Sequence, residues 1–179
     1  MKRCDYVLKL DLTKYHLDNN LLKTAIVLID TRENENTHIK AWLDKHKIAY
    51  EERKLDYADY MLKLPKNESY GIMADLLLDY GVERKASLEE ISGNLTNDRN
   101  RIEEELWRGS GRMCVVIENG SLDKIAKHDY KTQYAEKSFK ATLITYMHRY
   151  NVPILFCEKE ISAETIYAIL YYKLREVLK

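Results

Sequence analysis

The chain has 179 residues, 45% of them apolar, which suits one domain with a sizeable buried core. Lysine plus arginine and aspartate plus glutamate each total 29, so the formal net charge is zero, and any binding to a polyanion would depend on a local basic face. No apolar run approaches the length of a membrane span and no apolar signal segment follows Met1, so we expect a soluble, cytoplasmic protein without membrane contact.

The chain begins with a weakly patterned segment. Residues 1–23 are expected to form an N-terminal extension with a candidate strand at 6–10, and residues 24–179 a single domain. Residues 25–29 are a continuous apolar run, which is typical of a strand buried on both faces. Apolar residues at helical spacing then predict a helix over 37–46.

Further elements follow in alternation. They are predicted as a strand pair at 49–55 and 60–64, a strand at 82–85, helices at 87–95 and 99–107, a strand at 113–118, a helix at 138–150, a strand at 153–157 and a helix at 162–179. Ser87 and Glu90 have the spacing of a capping box at the start of one helix. Strands that alternate with helices predict an α/β sandwich with a mixed central sheet.

A charged triplet, Glu83-Arg84-Lys85, follows directly after the apolar Val82. Residues two apart on a strand point to the same side, so Glu83 can hold a divalent metal while the Lys85 ammonium reaches a phosphate or an attacking water. Such a pairing suits metal-dependent cleavage of a phosphodiester bond. Charged triplets are common in a chain that is 32% charged, so the residues around the triplet decide its interpretation.

Other acidic motifs stand at definite places around the triplet. Asp30-Thr31-Arg32-Glu33 ends the first buried strand, Asp59-Tyr60 opens another, and Glu89 stands four residues after Lys85. In this order the motifs resemble the nuclease domain of the XPF family of structure-specific DNA endonucleases. That pattern reads Asp-x-Arg-Glu, then Gly-Asp-Tyr, then Glu-Arg-Lys-x-x-x-Asp, then a helix pair.

The resemblance covers roughly residues 25–179 and implies both a fold and an activity. The implied fold is a restriction-endonuclease-like three-layer sandwich with a mixed central sheet flanked by helices. The implied activity is a DNA endonuclease that needs Mg²⁺ or Mn²⁺ and cuts branched or flapped DNA.

Three departures from the family pattern stand out. Ala58 replaces a glycine, which a negative φ would tolerate, Glu89 replaces an aspartate, and the stretch 65–80 is an insertion that the resemblance does not interpret.

Residue roles follow from the resemblance together with the preference of magnesium and manganese for hard oxygen ligands. Asp59 and Glu83 are expected to hold the metal, with Asp30 as a further ligand, and Lys85 to position or help deprotonate the attacking water. Arg84 and Arg32 are expected to contact phosphate or lock carboxylates in place. The catalytic set is therefore Asp30, Asp59, Glu83, Arg84 and Lys85, with Glu89, Arg32 and Glu33 in support.

A turn between two helices holds Asn97, Arg99 and Arg101, which we expect to bind DNA. The alternative is ordinary loop and cap chemistry, and for the triplet the alternative is an ion-paired sheet edge. A second triplet, Glu52-Arg53-Lys54, has no acidic residue at the matching position after its lysine, so we predict a solvated strand there.

Neither the histidines nor the cysteines predict a metal site. The histidines lack zinc-ligand spacing, and His38 either touches DNA or lies on a helix surface. The cysteines Cys4, Cys114 and Cys157 lack paired spacing and are expected to be reduced thiols.

Tyrosines and apolar residues widen the apolar stripe of the last helix, where Tyr167 and Tyr171 lie beside Ile166 and Leu170. The width suggests a partner surface, and the resemblance implies a homodimer. The family's usual helix-hairpin-helix module does not appear before Lys179, so junction recognition is expected from the dimer, from the insertion or from a separate DNA-binding partner.

Two other functions stay open. One is a nuclease that acts on plain duplex or single strands. The other is a non-catalytic DNA-binding scaffold or partner subunit. Retention of Asp30, Asp59, Glu83 and Lys85 counts against the scaffold, because a site without catalysis has no physical reason to keep buried like charges together.

Overall fold

Strands and helices alternate along residues 19–178, which the computed structural model describes. The elements are α1 (Asn19–Leu22), β1 (Ile26–Ile29), α2 (Thr37–Lys45), β2 (Tyr50–Glu52), β3 (Tyr60–Leu64), a short 3-10 helix (Glu68–Tyr70), β4 (Leu76–Lys85), α3 (Leu88–Asn97), α4 (Arg99–Arg108), β5 (Met113–Glu118), α5 (Leu122–Ala126), α6 (Glu136–Tyr150), β6 (Ile154–Cys157) and α7 (Lys159–Val177). The candidate strand at 6–10 and Cys4 lie outside the described residues. Within 19–178, no helix is long and apolar enough to cross a membrane.

The strands form one mixed sheet in the order β2-β1-β3-β4-β5-β6. β1 pairs in parallel with β2, and β3 pairs antiparallel with both β1 and β4. On the other half of the sheet, β4, β5 and β6 run parallel to one another. The predicted mixed central sheet is confirmed.

Helices cover both faces of this sheet, and each face has its own apolar core. On one face, α1, α2 and α7 bury residues such as Leu22, Ile39 and Leu170, and we call this side the α7 layer. On the other face, α3 to α6 bury residues such as Leu95 and Leu143, and we call this side the α3 layer. The three-layer sandwich expected from the sequence is therefore confirmed.

The charged triplet lies at the end of β4, between β3 and β5. Val82 packs in the core of the α7 layer. Because side chains alternate between the faces of a sheet, Arg84 also points toward the α7 layer, whereas Glu83 and Lys85 point toward the α3 layer. All four residues are buried, since both faces of β4 are covered.

The predicted strand pair at 49–55 and 60–64 is wrong in its pairing. β2 runs parallel to β1, with Val27 opposite Tyr50, and β3 lies on the other side of β1. α2 connects β1 to β2, and a crossover of this kind is what parallel neighbours require. Apolar periodicity identified both strands, but it carries no information about which strand pairs with which.

The unexplained segment 65–80 lengthens the hairpin between β3 and β4. β4 begins at Leu76 rather than at Val82, and Leu76 lies opposite Leu64 of β3. Leu78 is buried in the α7 layer. Most of the apolar part of the insertion is thus a strand extension.

Local signals at helix starts predicted the structure well. Ser87 caps α3, because its Oγ accepts a hydrogen bond of 3.2 Å from the backbone N–H of Glu90. The Glu90 carboxylate returns the interaction by accepting from the N–H of Ala86 at 2.7 Å. The predicted Ser87 cap is confirmed, but the reciprocal bond differs from a capping box, because Glu90 accepts from the N–H one residue before the cap. The helix α5 was not predicted, since five residues are too few to show a helical period.

Ala58, which stands at the glycine position of the XPF pattern, has a left-handed backbone with φ of 61°. The negative φ that would tolerate an alanine at this position is therefore not present, and the left-handed conformation costs an L-residue roughly 1–2 kcal/mol. The buried methyl group of Ala58 faces Gly81 of β4, where an added Cβ would lie 2.6 Å from the Ala58 Cβ. Gly81 therefore leaves room for the Ala58 methyl group. A glycine at position 58 would adopt this backbone conformation with less strain.

We predict that Gly81→Ala lowers the free energy of unfolding by about 1–3 kcal/mol, the usual cost of overpacking a tight core. In an Ala58→Gly background the same substitution should cost less, because the nearest obstructing atom is gone, although the Tyr60 carbonyl oxygen stays 3.2 Å from the new Cβ. Urea unfolding of the four proteins measures this coupling. An equal cost in both backgrounds would show that Ala58 is not the obstacle.

Candidate active site

Glu83 and Lys85 form a buried ion pair at the end of β4. Glu83 is 4% exposed and Lys85 is 7% exposed. Lys85 Nζ donates a hydrogen bond of 2.6 Å to Glu83 Oε1, so the two side chains share one side of the strand as expected. The other oxygen, Glu83 Oε2, is buried without a hydrogen-bond partner. A buried carboxylate oxygen without a partner is costly and marks a position where a cation would fit.

Asp59 stands just before β3 and is tied to both neighbouring strands. Its Oδ2 accepts a hydrogen bond of 2.8 Å from the backbone N–H of Arg84. Its own N–H donates to the Val82 carbonyl at 3.0 Å, and its carbonyl accepts from the N–H of Asp30 at 2.8 Å. The backbone of β4 therefore orients the Asp59 carboxylate directly.

The charges around Glu83 and Asp59 favour a cation. Burial raises the pKa of Glu83, and the charges of Asp59 and Glu105 add to this while Lys85 opposes it. Burial likewise raises the pKa of Asp59 against the opposing effect of Lys85. Burial would lower the pKa of Lys85, but the charge of Glu83 outweighs it and the pKa is raised, so the ammonium persists. Two acids then share one ammonium, and a bound cation would relieve their repulsion.

The donor set fits a hard divalent cation. Carboxylate oxygens are the ligands that magnesium and manganese prefer, and Asp59 and the unpaired Glu83 Oε2 offer such oxygens. Residues 19–178 contain no group of three or more His, Cys, Asp or Glu side chains arranged around a common metal position. A metal held by two carboxylates would keep several water ligands, as magnesium usually does.

Asp30 has both carboxylate oxygens occupied. Oδ1 accepts from Arg32 Nε at 2.7 Å and from the Arg32 N–H at 2.8 Å, while Oδ2 accepts from Arg32 Nη2 at 2.9 Å and from the Leu55 N–H at 2.7 Å. Burial disfavours the charge of Asp30, but these hydrogen bonds outweigh it and hold its pKa below the ordinary value. Asp30 thus pins the loop after β1 to the segment before β3, and Arg32 locks a carboxylate, as expected of it.

Arg84 points away from Glu83 and Lys85 into the α7 layer. Its Nε and Nη2 donate to Glu118 at 2.9 and 3.2 Å, and its Nη1 donates to Glu33 at 2.9 Å. Nη2 also donates to the Glu35 carbonyl at 3.1 Å, so the buried guanidinium is held by two carboxylates and one backbone oxygen. Of the two roles expected for Arg84, the locking of carboxylates is the one that this geometry realises, and contact with a phosphate is not.

Glu89 was expected to support the site, but its carboxylate faces a different neighbour. Glu89 Oε1 accepts from the N–H of Lys131 at 3.2 Å. Its neighbour Glu90 is the acid that approaches the triplet, 3.8 Å from Lys85 Nζ. Consecutive residues on a helix point about 100° apart, so the shift by one residue moves the acid to another side of α3.

Three residues near the site were not identified from the sequence. Glu118 ends the apolar strand β5, and a lone acid at the end of a buried strand was a usable signal for it. His38, for which the sequence left contact with DNA or a helix surface open, lies partly exposed on α2, and its Nε2 is 2.8 Å from Glu118 Oε1. Glu105 affects the pKa of Asp59 and Glu83. Only the orientation of α4 about its own axis distinguishes Glu105 from the adjacent Glu103 and Glu104.

The residues expected to bind DNA lie on exposed positions of α3 and α4. Asn97 is exposed, Arg99 donates to Glu103 at 3.0 Å, and Arg101 lies 3.9 Å from Glu105. Arg101 thus stands beside an acid that belongs to the electrostatic surroundings of the site. The second triplet, residues 52–54, is exposed as predicted, but only Glu52 belongs to the edge strand β2 and the other two residues follow its end.

The fold and the triplet together define a class of protein, an α/β domain with a restriction-endonuclease-like core whose central strand presents a buried carboxylate and a buried lysine. The chain belongs to the ERCC4 domain family, which it matches over residues 29–169. The family recognised from the sequence motifs is confirmed. Its members are generally nucleases, and membership suggests a structure-specific DNA endonuclease.

Solved structures share this fold. XPF from Aeropyrum pernix aligns with a TM-score of 0.59 and 18% identity, over 85% of this chain and 66% of that chain. The structure of XPF from Aeropyrum pernix in complex with DNA aligns with a TM-score of 0.59 and 17% identity, over 84% and 66% of the two chains. This chain therefore spans about two thirds of the length of those proteins. A comparison with curated proteins gave no match.

Proposed function

We propose that the protein is a DNA endonuclease that depends on Mg²⁺ or Mn²⁺ and cuts branched or flapped duplexes. The observation that carries this proposal is the unpaired, buried Glu83 Oε2 beside Lys85 and Asp59. A scaffold without catalysis would gain nothing from such a cluster, since buried like charges destabilise a fold. Membership of a family of nucleases supports the same conclusion.

Each residue of the cluster has a role that its surroundings allow. Asp59 and Glu83 would hold the metal, which when bound supplies a nucleophilic water and charge stabilisation for phosphodiester hydrolysis. Lys85 has a raised pKa, so we assign it the orientation of the attacking water and of a phosphate oxygen as a hydrogen-bond donor rather than as a base. The Asp30 N–H donates to the Asp59 carbonyl, and Arg32 holds the Asp30 carboxylate. We therefore assign Asp30 and Arg32 the role of fixing the backbone beside Asp59.

We propose that DNA approaches along α3 and α4. Asn97, Arg99 and Arg101 are exposed there and can reach phosphates without leaving a buried partner. Arg101 lies 3.9 Å from Glu105, whose charge acts on Asp59 and Glu83, and this supports a phosphate contact near the proposed metal ligands. The structure of XPF from Aeropyrum pernix with DNA supports binding to DNA by a protein of this fold.

A homodimer is our proposed assembly, with a separate DNA-binding partner as the alternative. The outer side of α7 carries exposed apolar residues among charged ones, with Ile161 52% and Tyr172 57% exposed. The edge strand β6 adds the exposed Leu155 on the same side of the sheet. Tyr167 is unsuited to the interface predicted from the sequence, because it is half-buried against Trp42. Closed two-fold pairing is the commonest way to cover such a surface.

Glu83→Gln and Lys85→Ala should each lose cleavage of flapped DNA, with a fall of at least about 100–1000-fold, because each removes stabilisation of charge that develops in the transition state. Labelled flap, fork, nicked and linear substrates measure both the rate and the preferred DNA structure. Glu52→Gln and Lys54→Ala are the matched controls from the second triplet and should retain activity. Loss of cleavage in the controls alone would mean that the wrong triplet was chosen.

Magnesium or manganese should raise the melting temperature of the wild-type protein, whereas sodium at equal ionic strength should not. A ligand that binds only the folded state stabilises it by about 2.7 kcal/mol at 100 times Kd. The variant Asp59→Asn with Glu83→Gln should lose this response, since both proposed ligands become weak. An unchanged response in the double variant would place the metal elsewhere.

Ile161→Glu combined with Tyr172→Glu should give a folded monomer with weaker binding to branched DNA. A dimer has about twice the phosphate contacts of a monomer, so the monomer should also show a shallower dependence on salt. Met73→Glu with Leu77→Glu, two exposed apolar residues of the β3–β4 hairpin, is the matched control and should stay dimeric. Light scattering that finds the wild type monomeric at micromolar concentration would contradict the proposal.

A further inference from the structure

Glu118, at the end of β5, is a fully buried carboxylate. Arg84 of β4 donates to its Oε1 at 2.9 Å and to its Oε2 at 3.2 Å. His38 of α2 lies 2.8 Å from Oε1 through its Nε2, which must carry the proton because an ionised carboxylate only accepts. Glu118 of β5 thus links the neighbouring strand β4 to the helix α2 of the α7 layer.

Glu118 is the dominant partner of Arg84. Burial disfavours its charge, but hydrogen bonds, first of all from Arg84, outweigh this and hold its pKa below the ordinary value. At Glu33 the balance is reversed, because burial raises the pKa of that carboxyl more than Arg84 lowers it. Glu118 makes two hydrogen bonds to the guanidinium and Glu33 makes one. A bidentate pair of this kind fixes the orientation of an arginine as well as its position.

The orientation of Arg84 passes to the candidate active site through the backbone of β4. The Arg84 N–H donates to Asp59 Oδ2 at 2.8 Å, and the residues on either side of it are Glu83 and Lys85. Because neighbours on a strand point to opposite faces, anchoring Arg84 in the α7 layer holds Glu83 and Lys85 toward the α3 layer. Loss of the anchor would leave a buried guanidinium short of partners and free the end of the strand to rotate.

We propose that Glu118, oriented by His38, is a positioning residue that acts through Arg84 to set the geometry of Asp59, Glu83 and Lys85. The proposal rests on the proposed function for its catalytic consequence, but the geometric part stands without it. Glu118 lies on the opposite side of the sheet from the metal ligands and would touch neither DNA nor metal.

The first test measures geometry without activity. In Glu118→Gln, hydrogen exchange of the Arg84 amide, followed by NMR, should become faster, because the hydrogen bond to Asp59 loosens. Leu174→Ala removes a buried side chain from the same layer and lowers stability by a typical 2–5 kcal/mol or so, without contact to Arg84. Its Arg84 amide should keep its protection relative to the other β4 amides. The proposal would be overturned if, in both variants, the Arg84 amide lost only the protection that the loss of global stability accounts for.

The second test measures the site. Glu118→Gln should weaken manganese binding in calorimetry and slow single-turnover cleavage by about 10–100-fold, the usual effect of removing a residue that orients a ligand. DNA affinity and its salt slope, measured without a divalent metal, should equal those of the wild type, since no phosphate contact is lost. Manganese affinity and a cleavage rate within twofold of wild type would contradict the positioning role.

His38 provides a variant that keeps the buried charge pair, in case Glu118→Gln does not fold. His38→Ala removes one hydrogen bond from Glu118 and should speed exchange of the Arg84 amide to a lesser degree. His38→Gln keeps a donor and should restore protection. No difference between these two variants would overturn the role of His38. A wild type that never cleaves DNA would refute the proposed nuclease function, while the exchange measurements would still decide the geometric proposal.

Discussion

The alternation of side chains along β4 is the constraint on which the rest of the structure depends. Three consecutive charged residues occupy a strand that is covered on both faces, so their charges are necessarily divided between two buried layers. A charge buried in this way needs a partner. The α7 layer supplies Glu118 and Glu33 to Arg84, and the α3 layer pairs Lys85 with Glu83.

The two layers differ in how completely they neutralise these charges. Around Arg84, both nitrogen edges of the guanidinium and both oxygens of Glu118 are engaged. Around Lys85, one ammonium is shared by the acids Glu83 and Asp59, and Glu83 Oε2 has no partner. The first arrangement is complete and stabilising, whereas the second becomes complete only with another cation. This asymmetry distinguishes the face that anchors the strand from the face on which we propose that the chemistry takes place.

Much of the fold could be predicted because its signals are local. The apolar runs of β1 and β5 and the cap at Ser87 each depend on a few adjacent residues, and each appears where the pattern placed it. The neighbour of β2 could not be predicted, since pairing is decided by the path of α2. The positive φ of Ala58 could not be predicted either, because L-residues rarely adopt it and no adjacent residue marks the position.

The candidate site likewise has features that the sequence predicts and features that it does not. The spacing of Glu83 and Lys85 on a strand is a local property, and the sequence sufficed for it. The roles of Glu90, Glu105 and Glu118 depend on the rotation of helices or on contacts across the sheet, so no spacing in the chain reveals them. Arg84 illustrates the limit most clearly. Its place in the motif suggested either a phosphate contact or the locking of carboxylates, and only its face of the strand, toward Glu118 and Glu33, favours the second role.

The long β3–β4 hairpin separates the tip of the insertion from the chemistry. Asp59 stands before β3 and Glu83 near the end of β4, so both lie at the end of the hairpin opposite its turn. From Leu76 to Glu83 the strand spans roughly 20 Å at 3.3 Å per residue. The turn at Glu68–Tyr70 is therefore a convenient attachment point for a fluorophore or an immobilisation tag, which would report on the protein without disturbing Asp59 or Glu83.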